Sequence, residues 1–352
     1  MIGLDIAKSV FQVHGEDAAG NITLRKKLSR LQLEGFFTKL PACLVGIEAC
    51  GTSHHWGRTL TALGHEVRLI PAMYVKPFVK RNKNDARDAA AICVALGRPD
   101  MRAVAIKSVD QQAMRVLERA RELLVKQQVQ LTHCCRAMMA EMGIVAAQGR
   151  RGFDELRALI SAGDARVPGM LMGALQALVR QIDTSGAEIK GLGDKIMASA
   201  KAHADMRRLA TIPGIGGLTA HAIVAAIGDG KRFGCARDFA AWLGLTPRGH
   251  SSGGKERQRG ISRAGDTRLR SLLTLGASTL IRFARSHEDR ATAWQSGILA
   301  RRPVKVAVLA QAAKTARIAR AVLTSGAVYR RPGGEAAPIV PVAPGLAACG
   351  VA

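Results

Sequence analysis

Four carboxylates near the start of the chain stand where they could do phosphoryl chemistry. Asp5 falls inside the β-prone run GLDIA, and Glu48 directly follows the apolar run LVGI. Asp85 and Asp88 lie at i and i+3 of an Ala-rich segment, a spacing that projects both from one face of a helix. A carboxylate in or at the end of a buried strand is costly to desolvate unless it is paired or binds metal. Converging carboxylates supply the oxygen ligands that magnesium takes. Two such ions about 4 Å apart can activate a nucleophile and stabilise a leaving oxygen at phosphorus. Lys76, Lys80, Arg81, Lys83 and Arg87 flank the acid pair, where a phosphate backbone would lie. Structural roles are the alternative: Asp5 capping a turn, Asp85 and Asp88 opening a helix, where acids complement the dipole. The order of strand acid, strand-end acid and helix pair weighs toward the metal site.

Two further segments carry candidate chemistry. Residues 212–216 read IPGIG before a helical run, a hairpin of the helix-hairpin-helix kind. Gly214 and Gly216 there would let backbone N–H groups approach a phosphate, aided by the following helix N-terminus. Such contacts read no base sequence; an ordinary helix–helix turn is the alternative. Residues 247–259 read PRGHSSGGKERQR, and between 245 and 285 nine Lys or Arg face two acids, Glu256 and Asp266. A serine ringed by Arg248, His250, Lys255, Arg257 and Arg259, with Arg263 beyond, could attack a phosphodiester while the cations stabilise the charge at phosphorus. By composition alone, Ser-Ser-Gly-Gly reads as an ordinary solvated loop.

These groups must be positioned by the elements around them. Residues 1–105 predict an α/β unit of order β-β-β-α-β-α-β-α. Strands are expected at 2–6, 10–14, 22–28, 43–47 and 67–70, and helices at 55–63 and 85–96. The continuous apolar run CLVGI is the pattern of a strand buried on both faces. Residues 106–205 predict a helical linker. Ala113, Leu117, Ala120, Leu124, Leu131, Cys134 and Met138 follow a 4-3-4-(7)-3-4 spacing interrupted at Gln127. That heptad pattern fits a long helix packed on its own domain and an intermolecular coiled coil about equally. Gly163, Gly169, Gly186, Gly191 and Gly193 are expected to interrupt the helices that follow. Residues 206–325 predict a second, mainly helical domain, and 326–352 a Pro/Gly/Ala-rich flexible tail.

Composition narrows the partner. The chain has 352 residues, with 52 Lys+Arg against 27 Asp+Glu, a formal net charge of +25. That surplus weighs against a bare metabolic enzyme and for a polyanion partner, nucleic acid above all. A hydrophobic content of 48% supports real cores, and aromatics at 4% leave those cores to Ala, Leu, Val and Ile. Seven cysteines without a C-x-x-C argue against a disulfide framework or thiolate zinc site. No uncharged apolar stretch is long enough for a membrane span, and no signal-peptide core opens the chain. A cytoplasmic, nucleoid-associated protein is expected.

Five segments occur in order: GLDIAKSVFQV at 3–13, GIEACG at 46–51, NDARDAAAI at 84–92, IPGIG at 212–216, and FAAWLGLTPRGHSSGGKERQRGISRAGDTRLRSLL at 239–273. Together they resemble the DEDD transposases of the bacterial insertion-sequence family one-ten, over about residues 1–325. The resemblance implies a RuvC-like (RNase H-like) α/β N-terminal domain, a helical coiled-coil linker and a mainly α C-terminal transposase domain. It implies a site-specific recombinase that mobilises its own insertion sequence, guided by a structured bridge RNA to donor and target DNA. It implies Asp5, Glu48, Asp85 and Asp88 as the magnesium-binding tetrad. It implies a nucleophile at Ser251, with Ser252 as the neighbouring alternative, and a phosphoserine–DNA intermediate. A homo-oligomer, dimer or tetramer, would bring half-sites together across subunits. Only four residues precede Asp5, so the first strand is expected to be short. Two other functions stay open at this point: a RuvC-like nuclease or junction resolvase without a covalent intermediate, and a non-catalytic nucleic-acid-binding copy.

Overall fold

The computed structural model describes residues 1–79, 85–99, 101–251, 253, 255 and 257–330, with backbone alone at residues 85, 258 and 290. Lys80, Arg81, Lys83, Ser252 and residues 331–352 lie outside this range, as does the side chain of Asp85. The chain divides into two compact units, Met1–Asp110 and Gln111–Ala352.

The first unit runs β1 (Ile2–Ile6), β2 (Val10–Glu16), β3 (Ile22–Ser29), α1 (Arg30–Thr38), β4 (Leu44–Glu48), α2 (Ser53–Ala62), β5 (Glu66–Ile70), α3 (Ala72–Val75) and α4 (Asp85–Leu96). Its five strands form one sheet of order β3-β2-β1-β4-β5. β1 pairs antiparallel with β2 and β2 with β3, whereas β1–β4 and β4–β5 are parallel. The predicted order of strands and helices is therefore found, with the short α3 added before α4. The Gly20 turn joins β2 to β3, with Asp17 Oδ1 accepting from the amides of Ala19 and Asn21.

Period-2 alternation gives the sheet two different faces. One face carries Leu4, Phe11, Val13, Leu28, Val45, Ile47 and Leu69, packed under Leu33 and Phe37 of α1 and Trp56 and Leu60 of α2. Fully burying each such side chain is worth about 1.5–3 kcal/mol. The other face carries Gly3 and Gly46, and α4 lies on them. A Cβ on Gly3 would stand 2.2 Å from the carbonyl oxygen of Ala89, and one on Gly46 would meet Ile92 and Leu96 at 3.1 Å. Absent side chains thus let α4 approach the backbone of the two central strands.

The second unit continues with α5 (Val109–Glu141), α6 (Gly149–Ala162), α7 (Gly169–Ala202), α8 (Ala204–Ala210), α9 (Gly217–Ile227) and α10 (Ala236–Trp242). The short hairpin β6 (Pro247–Gly249) and β7 (Gln258–Ile261) follows, then α11 (Thr267–Ser286), α12 (Ala293–Arg301) and α13 (Val304–Ser325). Cys135 and Met139 of α5 share a core with Phe153, Leu156 and Ile160 of α6 and Leu175, Val179 and Ile182 of α7. A second core joins Met206, Leu209, Ile223, Phe239, Leu269, Leu273, Ala312, Ala316 and Ala319. Small alanines on α13 let it pack closely on α11.

One sequence expectation changes here. Gly186, Gly191 and Gly193 do not interrupt a helix but lie inside the continuous α7. Gln128 and Arg121 of α5 occupy the space beside Gly186 and Gly193, and Gln128 Nε2 donates to the carbonyl of Ile182 at 3.1 Å. The Ser/Gly segment, expected as a loop, follows β6 and precedes β7, and its described residues Ser251 and Gly253 are loop and turn. Beyond α13, Tyr329 packs on the second core and its amide donates to Thr211 Oγ1.

Candidate functional site

Register decides which carboxylates of the first unit meet. β1 and β4 pair Gly3 with Gly46 and Leu4 with Ile47, so the next step along both strands sets Asp5 beside Glu48. Neighbouring strands are about 4.8 Å apart. Both residues share the face of Gly3 and Gly46, the face that α4 covers, and both are half-buried. The direction of α4 completes the placement. Met1 lies at Cys93 and Gly97, and Gly3 lies at Ala89 and Cys93. The helix therefore runs antiparallel to β1, and Asp5 falls at the level of its first turn. That turn holds Asp85 and the half-buried Asp88.

Among the described residues, no three His, Cys, Asp or Glu side chains are grouped closely enough to hold a metal ion; the side chain of Asp85 is not among those described. The donor chemistry is all-oxygen, the set that fits a hard divalent cation. Lys76 and Arg87 of the flanking basic run are exposed.

In the second unit, Ser251 is exposed at the hairpin tip. Pro247 pairs with Ile261 and Gly249 with Gln258, and the amide of His250 donates to the carbonyl of Arg257 at 2.9 Å. Ser251 is thus the first residue past the last rung. Arg248, His250, Lys255, Arg257, Arg259 and Arg263 are all exposed. Arg248 also donates to the carbonyl of Ser262 at 2.8 Å, tying the two strands together.

The base of the hairpin is fixed by close backbone approach. A Cβ on Gly244 would stand 2.3 Å from the amide nitrogen of Ala264, and one on Gly265 1.8 Å from the carbonyl oxygen of Trp242. Arg263, between them, is the one described non-glycine residue with positive φ, 58°. Such backbone persists only where its surroundings over-determine it. Its amide donates to the carbonyl of Gly244, and Arg270 donates to the carbonyls of Leu243 and Ala264. Arg270, which the sequence presents as one more cation of a basic run, is a clamp on this base.

The glycine hairpin divides in two. Gly214 has φ +83° and packs on α11: a Cβ on Gly276 would stand 2.0 Å from the Gly214 carbonyl oxygen. Gly216 is exposed, has open space where a Cβ would go, and caps the N-terminus of α9. Of the two glycines anticipated to approach a phosphate, Gly216 is open to solvent at the N-terminus of α9 and Gly214 packs on α11.

Sequence reasoning missed a buried polar cluster. Glu118 of α5 and His221 of α9 are hydrogen-bonded at 2.6 Å with side chains 1% and 0% exposed. Arg115 pairs with Asp266 at 2.7 Å, and Arg268 with Glu122 at 2.9 Å. Asp266 caps α11, its Oδ1 accepting from the amide of Leu269. The cluster so anchors the helix that follows the serine hairpin. The Arg115–Glu118 spacing of three residues was its only local signal.

A family model described as the Transposase IS116/IS110/IS902 family matches residues 206–292, which hold the hairpin and Ser251. A second, described as Transposase and covering the DEDD group of IS110, matches residues 2–144, which hold the four acids. A probable family 20 transposase of Pseudomonas aeruginosa is 44% identical over 333 residues, spanning 94% of this chain and 98% of that protein. The transposase for insertion sequence element IS1328 of Yersinia enterocolitica is 38% identical over 332 residues, again 94% and 98%. A pilin gene-inverting protein of Moraxella bovis is 44% identical over 78 residues, 22% of this chain and 24% of that protein.

Proposed function

The chain belongs to the IS110 family of DEDD transposases, DNA-cleaving and recombining enzymes, and from that premise we propose that it mobilises an insertion sequence by site-specific strand exchange with Ser251 as nucleophile. The observation that carries the reading is the exposure of Ser251 at the tip of a hairpin rimmed by exposed Arg248, Lys255, Arg257 and Arg259. The serine hydroxyl attacks phosphorus; a serine–phosphate ester forms, one phosphate–oxygen bond of the DNA breaks, and the departing oxygen takes a proton. Attack by a DNA hydroxyl on that ester releases the serine and joins new strands. Energy is conserved because one phosphodiester replaces another. The arginines stabilise the charge that builds at phosphorus.

Asp5, Glu48, Asp85 and Asp88 would hold divalent magnesium, which supplies Lewis-acid stabilisation of phosphate oxygens when bound. Support comes from the Asp5–Glu48 register and the closeness of the first turn of α4. The sheet order with two antiparallel and two parallel pairings supports an RNase H-like, RuvC-like reading of residues 1–105. Residues 106–205 form the linker and 206–325 the transposase domain. Along α5, Ala113, Ala120 and Cys134 are exposed, which supports a coiled coil with a second copy in a homo-oligomer. Base specificity belongs to a guide RNA in this reading, with phosphate contacts from Lys76, Arg87 and the C-terminal basics.

The test combines full-length protein, the element's structured RNA, and donor and target DNA, followed by denaturing gels for protein–DNA adducts. Wild type and Ser252→Ala are expected to form adduct, and Ser251→Ala to form none. Free 5′-phosphate ends without adduct in wild type would replace this mechanism with water-driven hydrolysis.

A further inference from the structure

The edge strand β3 carries three consecutive cations, Arg25, Lys26 and Lys27, all exposed. Strand alternation sends the middle one to the opposite face from its neighbours. Lys26 lies over the ring of Phe36 of α1, 5.0 Å from its centroid, which fixes Lys26 on the face under α1 and α2. Arg25 and Lys27 are therefore on the other face, that of Asp5 and Glu48. The register makes this sharper. Asp5 pairs with Gln12 and Gln12 with Lys27, while Gly3 pairs with His14 and His14 with Arg25. Glu48, Asp5, Gln12 and Lys27 thus form one row across four strands, acidic at the sheet centre and cationic at its edge.

Charge and cover along that row favour a polyanion. α4 packs on β1, β2 and β4, and leaves Arg25 and Lys27 open to solvent. Among the described residues neither has an ion-pair partner, and the one acid nearby on β2, Glu16, is bound to His14 at 3.0 Å. Lys27 stands two strand spacings, about 10 Å, from Asp5.

We infer that Arg25 and Lys27 form a phosphate-binding edge for the DNA strand cut at the acids, gripping its backbone close beside the scissile phosphate. This rests on the reading of Asp5 and Glu48 as cleavage residues. Lys26, on the far face, takes no part.

The experiment measures binding of full-length protein to its DNA substrate across a salt series. Wild type is compared with the Arg25→Gln/Lys27→Gln double variant, Lys26→Gln and Asp5→Asn. Each lost phosphate contact lowers the log–log salt slope by about 0.9 on duplex and about 0.7 on single strands. The double variant is expected to lose about 1.4–1.8 from the slope and Lys26→Gln nothing. Ethylation of the phosphates flanking the cut is expected to interfere with wild-type binding and to be silent in the double variant. An unchanged slope on DNA, a change seen only with structured RNA, or an equal change in Lys26→Gln would overturn the inference. Asp5→Asn reads the premise separately. Cleavage surviving in that variant would overturn the acid site and the edge together, whereas lost cleavage with an unchanged double-variant slope overturns only the edge. Melting curves of all variants confirm the fold; the side chains of Arg25, Lys26 and Lys27 are exposed and that of Asp5 is half-buried.

Discussion

The Nδ1–H of His221 donates to the carboxylate of Glu118 at 2.6 Å across 103 residues of sequence, with both side chains sealed from solvent. Arg115 and Arg268 approach the other carboxylate oxygen at 3.8 and 3.9 Å. Removing one member of a buried charged pair leaves its partners desolvated and unmatched. Glu118→Ala is therefore expected to cost about 3–5 kcal/mol, read as a lowered urea midpoint at unchanged m-value. Glu118→Gln keeps an acceptor for His221 and is expected to cost less. A loss under about 1 kcal/mol for Glu118→Ala would show that the cluster adds little to stability.

Gly3 is the second sensitive point. An added methyl would meet the Ala89 carbonyl at 2.2 Å, and backbone cannot move aside as a side-chain end can. Gly3→Ala is expected to destabilise by about 1–3 kcal/mol through overpacking. It is also expected to lower DNA cleavage more than DNA binding, because α4 carries Asp85 and Asp88. Gly35→Ala, in α1 with open space around it, serves as the neutral comparison in both assays.

The two glycines of one hairpin should separate. Gly214→Ala places a side chain at φ +83° and 3.0 Å from Leu280, so lower thermal stability is expected. Gly216→Ala has room and an ordinary backbone, so the fold is expected to hold while DNA affinity falls. Equal melting losses for both would remove the distinction.

His54 sets an acid limit. Burial, then the Lys107 ammonium and Arg58, push its pKa down from 6.5 to about 4. The amide of Lys107 donates to Nδ1 at 3.2 Å, which requires that nitrogen unprotonated. In the unfolded chain the ring binds a proton near pH 6.5, and in the folded chain only near 4. The unfolded state thus gains protons first, and stability falls as pH drops from about 6.5 toward 4. Urea midpoints between pH 7 and 4.5 are expected to fall less steeply for His54→Gln than for wild type. Parallel curves would dismiss His54 as the source.

Divalent cation removal tests the acid site. Chelation is expected to abolish strand cleavage while leaving DNA binding intact, with magnesium restoring it. Asp5→Asn and Glu48→Gln are expected to match the chelated wild type even in added magnesium. Cleavage in chelator would exclude the carboxylates as metal ligands.

Much of the site was legible because local chemistry marks it. The apolar runs around Asp5 and before Glu48 announce strands, and the spacing of Asp85 and Asp88 announces one helical face. The lysines and arginines around Ser251 announce a polyanion whatever the fold. A one-dimensional pattern carries these because each depends on neighbours within one turn or one strand. Register does not. That Asp5 stands beside Glu48, and that Lys27 but not Lys26 joins their row, depends on which residues pair across β4, β1, β2 and β3. The same limit hid Glu118 and His221, whose partnership exists only once α5 and α9 pack. It hid the difference between Gly214 and Gly216 too, since the backbone of α11 at Gly276 claims the first and leaves the second open. Local residue order marks most element types, the acids, the cationic loop and the family. Tertiary structure alone decided which faces and which distant partners those residues share, because pairing and packing are contacts between segments that the order of residues keeps apart.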